Sequence, residues 1–227
     1  MLTMVSCIMP TSDRRDFIPA AIDCWLKQDY ERKELIIVDD YKEKARDLIP
    51  ANPDIHYFVF LGLTLGEKRN YCNDLADGGI ICHFDDDDFS APDRISDQVT
   101  RLEQSGKAMT GYSALLFWDI LKNQAKKYVA YKPGYVCGTS FCYLKSLWVR
   151  HPFEDRQVGS DNAFIKLIPE DIAVSNDDSH LVARIHANHT SKKNGITQIV
   201  ARDAIPEGFW RNEELRLNGG NAHAHPY

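Results

Sequence analysis

Residues 80–88 read Ile-Ile-Cys-His-Phe-Asp-Asp-Asp-Asp, and this junction constrains the fold more than any other stretch of the chain. Four adjacent carboxylates repel one another, so such blocks usually sit in solvated, mobile segments. Here they follow a short apolar run that begins after Gly78-Gly79, and they precede Phe89 and Ala91-Pro92. An apolar run bounded by glycine reads as a buried strand. The acids then stand at the carboxyl end of that strand, where open α/β sheets bind ligands. Concentrated negative charge at such a place calls for a cation, and hard oxygen donors suit Mg²⁺ or Mn²⁺. A plain acidic turn on a solvated face has no need of four acids after a buried strand.

The strand-then-polar pattern recurs upstream. Residues 4–9 form an apolar strand ended by Pro10, followed by the polar loop Thr11-Ser12-Asp13-Arg14-Arg15. Phe17 to Gln28 has helical spacing, with Pro19 in its first turn. Glu34 to Val38 is a buried strand ending in Asp39-Asp40, Ala45 to Ile49 a short helix, and His56 to Phe60 a third strand. Gly66 opens a helix that runs through Lys68 and Asn70, Ile80 to Phe84 is the fourth strand, and Pro92 to Gln104 a further helix. Strands alternating with helices predict an α/β domain with a parallel or mixed sheet and helices on both faces. The second half is less regular. Residues 114–118, 141–144 and 183–186 look like strands, residues 161–168 like a helix, and a polar segment from Ser191 carries a helix up to Leu217 before a glycine- and histidine-rich tail.

In this architecture the strand carboxyl ends converge on one rim. It gathers Thr11 to Arg15, Asp39-Asp40, Gly66 to Asn70 and Asp85 to Asp88. A helix N-terminus with Lys68 and Arg69 suits a phosphate, and acids across the rim suit a metal bridging that phosphate. A carboxylate after the second strand can accept from a ribose hydroxyl or a base N–H. Together these describe a nucleoside-diphosphate site. Separately, Lys68 and Arg69 read as an exposed helix face, and one of Asp39-Asp40 reads as a helix N-cap. There is no G-x-G-x-x-G after the first strand and no G-x-x-x-x-G-K-[ST] motif, which disfavours a dehydrogenase or a P-loop NTPase.

Charge and cysteines narrow the class. The net charge of −6 over 227 residues disfavours a general polyanion binder. No stretch approaches the roughly 20 apolar residues of a membrane span, and the first residues lack the basic region of a signal peptide. The six cysteines form no C-x-x-C pair and several lie in apolar segments, which argues against a zinc site or a disulfide framework and for a reduced, cytoplasmic setting.

Val5 to Thr11, Leu35 to Asp40, Arg69-Asn70, Phe84 to Asp88 and Pro92-Asp93-Arg94-Ile95, in this order and spacing, resemble family 2 glycosyltransferases over about residues 4–190. The resemblance implies the GT-A fold, a Rossmann-like mixed sheet flanked by helices. Residues 1–105 would form a nucleotide-sugar half, 106–190 an acceptor half, and 191–227 a helical extension with a tail. It implies an inverting transfer from a nucleotide-sugar, most often a UDP-sugar, with Mn²⁺ or Mg²⁺. Carried over, Pro10, Thr11 and Asp13 border the nucleotide. Asp40, beside Asp39, contacts the base, and Arg69 with Lys68 approaches the base or the diphosphate. Asp85-x-Asp87 matches the D-x-D motif, with Asp87 and Asp85 as metal ligands, Asp86 toward the ribose and Asp88 fixing the loop. Gly138-Thr139 resembles the loop beneath the donor sugar or acceptor. Gly159-Ser160-Asp161 matches the catalytic helix start, with Ser160 where a glutamate often stands. Asp161 would then be the general base, its rival role being a helix N-cap. His186, opening a motif that continues through Asn188, His189, Thr190 and Ser191, would complete the metal site or touch the diphosphate, a structural histidine being the alternative. Trp118 and Trp148 would stack on a sugar or pack in the core. Two other functions stay open: a nucleotidyltransferase, against which the glycine-free loop at residues 11–15 speaks, and a non-catalytic nucleotide-sugar-binding scaffold. A glycan, a lipid-linked sugar, a protein and a modified nucleic-acid base are all open as acceptor.

Overall fold

The computed structural model describes residues 3–42, 44–130, 132–168, 171–187 and 198–219. In chain order the elements are β1 (Val5–Thr11), α1 (Ile18–Leu26), β2 (Lys33–Asp39), β3 (Ile55–Val59), α2 (Leu65–Leu75), β4 (Ile80–His83), β5 (Phe89–Ser90), α3 (Arg94–Ser105), β6 (Met109–Tyr112), β7 (Ala114–Asp119), β8 (Gln124–Val129), β9 (Cys142–Leu144), α4 (Lys145–Arg150), α5 (Ser160–Lys166), β10 (Ile172–Ser175), β11 (Leu181–Ile185), β12 (Gln198–Ile199) and α6 (Glu207–Gly219). Seven strands form one mixed sheet in the order β10-β6-β9-β4-β1-β2-β3. Its β4-β1-β2-β3 part is parallel, and β9 runs antiparallel between β4 and β6. A second sheet, β12-β8-β7-β11-β5, stands beside it. This is the GT-A type of α/β architecture.

β1 and β2 are buried along nearly their whole length because they are covered on both faces, as parallel strands require. Alternate residues serve opposite layers. Val5, Cys7, Met9, Leu35 and Ile37 pack toward Ile22, Trp25 and Ile95, while Ile8, Ile36, Val38 and Ile81 pack toward Cys72, Phe141, Phe153 and Phe164. Each such aliphatic side chain withdrawn from water contributes about 1.5–3 kcal/mol before chain entropy is counted.

The first strand does not stop at Pro10. It runs on to Thr11, in register with Asp39. Ile8 is the last residue of β1 paired with β4, and its carbonyl accepts from Phe84 N. Pro10, two residues on, would turn its missing N–H to the same side, where β4 has already left the sheet, so no ladder bond is lost.

The segment after β11 returns to the body. β12 pairs with β8. α6 lays the buried Phe209 and the adjacent Trp210 against Trp118, and Asn212 Nδ2 donates to Ala20 O of α1 at 2.8 Å. Trp118 is therefore a core residue. Trp148 is half-buried, its indole N–H donating to Asn70 Oδ1 at 2.8 Å. Positions 188–191 of the histidine motif and the tail from residue 220 lie outside the described residues. Among the described residues no helix is long and apolar enough to cross a membrane.

Candidate active site

Strand order places the carboxyl ends of β1, β2 and β4 side by side, and the loops that follow them meet. After β4 the chain turns sharply through the four acids. Carboxylate oxygens of Asp85, Asp87 and Asp88 lie within 4.8 Å of one another, a spacing that a single hard cation can span. The three are not equivalent. Asp88 Oδ2 accepts from Thr139 Oγ1 at 2.5 Å and Oδ1 accepts from Arg184 N at 3.1 Å, so Asp88 ties the loop down. Asp87 Oδ2 lies 2.9 Å from His186 Nε2, across 99 positions of sequence. His186 is buried, its ring 4.6 Å from that of Phe17. Asp85, half-exposed, completes the set. All-oxygen donors with one imidazole fit Mn²⁺ or Mg²⁺ and do not suit a soft metal.

Arg14 closes the other side of this loop. Asp13 sits in the left-handed region at φ +53°, which Asp tolerates better than most residues, and the chain folds back there. The Arg14 guanidinium donates to Asp86 Oδ1 at 2.7 Å and stands 2.8 Å from Asp87 Oδ2. Asp86 is 1 % exposed, and burial pushes its carboxyl up to about 6 against the pull of Arg14. The Thr11 hydroxyl stands close enough to the Asp86 carboxyl to favour its ionised form, and among the described residues neither that hydroxyl nor Asp86 Oδ2 makes a well-formed hydrogen bond.

A second arginine supports the loop from behind. Arg184, on β11, donates from its guanidinium to Asp87 O at 3.1 Å, Glu213 Oε2 at 2.8 Å and Asn212 Oδ1 at 2.9 Å, and stacks 4.7 Å over the Phe209 ring. α6 is thus coupled through one buried side chain to the acid loop. Glu213, between Arg184 and Arg216, is held below the usual carboxylate range even though burial works against ionisation.

The residues after β2 and on α2 separate into structural and accessible groups. Asp39 accepts from Tyr57 Oη at 2.5 Å, Tyr41 N at 3.0 Å and Ala45 N at 3.3 Å, so it organises the turn after β2. Asp40 is half-exposed and pairs with Lys68 Nζ at 3.0 Å, which also donates to Thr11 O at 3.2 Å. Lys68 and Arg69 are 4 % exposed each, unlike residues of a solvated helix face. Arg69 donates to Ser160 Oγ at 2.8 Å and lies over the Phe153 ring.

The expectation that the N-terminus of this helix cradles a phosphate fails. Thr64 and Glu67 form a capping box, Leu65 N donates to Gln157 Oε1, and Gly66 N donates to Arg156 O. With these donors spent on residues 156 and 157 and on the cap, no anion site remains there. A Cβ on Gly66 would meet Glu154 O at 2.0 Å, so the close approach itself requires glycine.

The three-residue turn Gly138–Ser140 joins the acid loop to Asp161. Thr139 holds Asp88, as described, and the Gly138 carbonyl accepts from His83 Nδ1 at 2.9 Å. Burial keeps His83 neutral. Arg94, fully buried, donates to both His83 O and Thr139 O and fixes the turn against β4. Asp161 sits so close that a Cβ built on Gly138 would meet Asp161 Oδ2 at 2.2 Å. Asp161 lies in the first turn of α5, whose N-cap is Gly159, so capping is not its role. It is half-buried and, among the described residues, accepts only from the next residue's N–H, Asn162, at 2.9 Å.

The structure thus gathers Thr11, Asp13, Asp40, Lys68, Asp85 to Asp88, Gly138, Asp161 and His186 along one rim, with Pro10 buried at the end of β1. Arg14, Thr139 and Arg184 also belong to it; sequence reasoning placed Arg14 in the rim loop and Thr139 in the loop beneath the donor sugar or acceptor, gave neither a partner, and passed over Arg184. Arg14 had a visible signal, a cation in the polar loop after the first strand. Arg184 had none, because a charge inside a short apolar strand shows its partners only when folded.

The family model described as "Glycosyl transferase family 2" matches residues 6–147. A glycosyltransferase of Haemophilus influenzae is 30% identical over 131 residues, covering 55% of this chain and 52% of its own length. The chain therefore spans about half the length of that relative. Among solved structures, S. aureus TarS 1-349 in complex with UDP superposes with a TM-score of 0.63 at 16% identity, covering 80% of this chain and 60% of that one. The same protein in complex with UDP-GlcNAc gives 0.60 at 16%, covering 94% and 65%. At that identity the likeness is one of fold.

Proposed function

The chain belongs to glycosyl transferase family 2, and from that premise we propose that it transfers a sugar from a UDP-sugar to an acceptor hydroxyl, with inversion at the anomeric carbon and Asp161 as base. The observation that carries the proposal is the Gly138–Ser140 turn, which touches Asp88 of the acid loop on one side and Asp161 on the other. This contact supports a reading in which the donor, held at the acid loop, and the Asp161 carboxylate meet across three residues. The nucleotides bound in the TarS structures support UDP as the donor's leaving group.

In this reading Thr11 and Asp86, whose buried Oγ1 and Oδ2 lack a well-formed hydrogen bond among the described residues, meet the nucleoside, with Pro10 and Asp13 bordering it and Asp40 and Lys68 at its base. Arg69 positions Ser160 and with it the start of α5. Asp85 and Asp87, with His186 behind Asp87, would hold Mn²⁺ or Mg²⁺, whose charge stabilises the negative charge gathering on a departing diphosphate. Asp161 takes the proton of the acceptor hydroxyl. The acceptor oxygen bonds to the anomeric carbon from the face opposite the diphosphate. The bond from that carbon to the phosphate oxygen breaks, and its electron pair leaves with UDP. The six buried free thiols support a reducing, cytoplasmic setting.

Asp161→Asn is the test. Transfer from a radiolabelled UDP-sugar falls at least 100-fold while UDP affinity stays within twofold of wild type. Transfer near the wild-type rate would refute Asp161 as base.

A further inference from the structure

Asp87 is gripped at both its side chain and its backbone. His186 Nε2 lies 2.9 Å from its Oδ2, and an Arg184 guanidinium nitrogen donates to its carbonyl at 3.1 Å. Arg14 approaches the same Oδ2 at 2.8 Å and also donates to Asp86. The Asp87 carboxylate is thus shared between an imidazole and a guanidinium.

The two grips are joined behind the loop. The His186 ring rests against Phe17, centroids 4.6 Å apart, and the Arg216 guanidinium lies over the same Phe17 ring at 5.1 Å. Arg216 donates twice to Glu213 Oε1, at 3.0 and 2.5 Å. The other Glu213 oxygen accepts from Arg184 Nε at 2.8 Å. The contacts therefore close on themselves, from Asp87 through His186, Phe17, Arg216, Glu213 and Arg184 back to Asp87. Glu213 and Arg216, three positions apart, share one face of α6. Asn212 fastens that face to α1, donating to Ala20 O at 2.8 Å.

Ordinary structural roles do not account for Phe17. It stands at the N-cap of α1, where a short polar side chain is preferred, and it makes no side-chain cap hydrogen bond. It is only half-buried, so core packing explains it in part. Its ring contacts lead to His186 on one hand and to Arg216 on the other.

We propose that Phe17 and Glu213 are positioning residues for the metal. Phe17 fixes the His186 imidazole, Glu213 fixes Arg184 and Arg216, and together they hold Asp87 in one orientation for the cation. The proposal rests on the reading of Asp85, Asp87 and His186 as the metal site. Residues that orient a metal ligand from behind contribute roughly 10–100-fold to affinity. Without the Phe17 ring, His186 regains rotational freedom and the Asp87 carboxylate is left to Arg14.

The test titrates Mn²⁺ into the nucleotide-free full chain, read by electron paramagnetic resonance of free Mn²⁺, with Tm of the metal-free proteins alongside. Phe17→Leu and Glu213→Gln each weaken Mn²⁺ binding at least tenfold, whereas Phe17→Tyr, which keeps the ring, stays within twofold of wild type. Added to His186→Ala, Phe17→Leu costs nothing further, because both act through one imidazole. Glu213→Gln, equal in shape to the native residue, gives the reading should Phe17→Leu not fold. Wild-type Mn²⁺ affinity in either folded variant, with or without a lower Tm, overturns the proposal. So does a Phe17→Leu loss that adds in full to that of His186→Ala, since Phe17 would then support the fold at large. Asp87→Ala separates the two readings. A wild type that binds Mn²⁺ no better than Asp87→Ala refutes the metal site itself and this proposal with it, whereas unchanged affinity in the Phe17 and Glu213 variants beside a weakened Asp87→Ala refutes this proposal alone.

Discussion

Gly138→Ala tests the geometry around the proposed base without touching its chemistry. Gly138 is not in the left-handed region, so alanine suits its backbone, and the consequence is steric. The new Cβ would lie 2.2 Å from Asp161 Oδ2, 2.8 Å from its Cβ and 2.9 Å from its Cγ. Ordinary contacts begin near 3.4 Å, so the carboxylate must retreat by about 1.2 Å. Rotating the side chain alone does not clear the clash, because Asp161 Cβ is itself too close. The first turn of α5 must shift, although Ser160 is bound by Arg69 and Phe164 is locked in the core. A misplacement of about 1 Å in a reacting group costs about 100-fold in rate, near 2.7 kcal/mol of barrier. Overpacking costs a further 1–3 kcal/mol or so of stability, which for a chain of this size is a loss of roughly 2–12 °C in Tm. The assay is kcat for transfer, beside Tm and the UDP affinity. kcat falls about 100-fold while UDP binding holds. Added to Asp161→Asn, the same change lowers kcat no further, because both act through one group. A folded Gly138→Ala with wild-type kcat would refute the placement of the base.

Two further outcomes follow from the acid loop. Arg14 stands within salt-bridge distance of Asp86 and Asp87 and so competes with a metal ion for the same carboxylates. Arg14→Ala should tighten Mn²⁺ binding about tenfold in the absence of nucleotide, read by electron paramagnetic resonance of free Mn²⁺. Weaker binding would show that Arg14 organises the site. Asp86 keeps its proton in the fold up to about pH 6, while the unfolded chain releases it near 4. The folded state thus binds the extra proton, and this group's contribution to stability declines as pH rises from about 4 to about 6. In metal-free protein Asp86→Asn removes that decline, so its stability relative to wild type is greater at pH 6.5 than at pH 4.5 by urea unfolding. An unchanged difference would contradict the assignment.

The first half of the fold was legible because each strand is an apolar run closed by polar residues, and the rim followed from where those runs end. The second half was legible only in part. β8 carries the adjacent Lys126 and Lys127 and buries only Ala125, β6 holds a glycine and a threonine, and β5 and β12 are two residues each. None carries a strand signal without its partners, so of the second sheet only β7 and β11 were legible, as the apolar runs at 114–118 and 183–186. The start of α2 was misjudged for a local reason. The Thr64 and Glu67 capping box was readable, but the residues at 154–157 that occupy the remaining donors come from 90 positions away. The acid loop was visible as charge, whereas its three tethers (Arg14, Thr139 and Arg184) converge only in the folded chain.

Calorimetric titration of the protein with UDP, GDP, CDP and ADP, each with and without Mn²⁺, addresses the central claim most directly. The account predicts that UDP binds tightly only when Mn²⁺ is present, that the other three bind at least tenfold more weakly, and that Asp87→Ala abolishes the metal dependence in a folded protein. UDP affinity that ignores Mn²⁺ and Asp87, or no binding of any nucleotide by the folded chain, would contradict it.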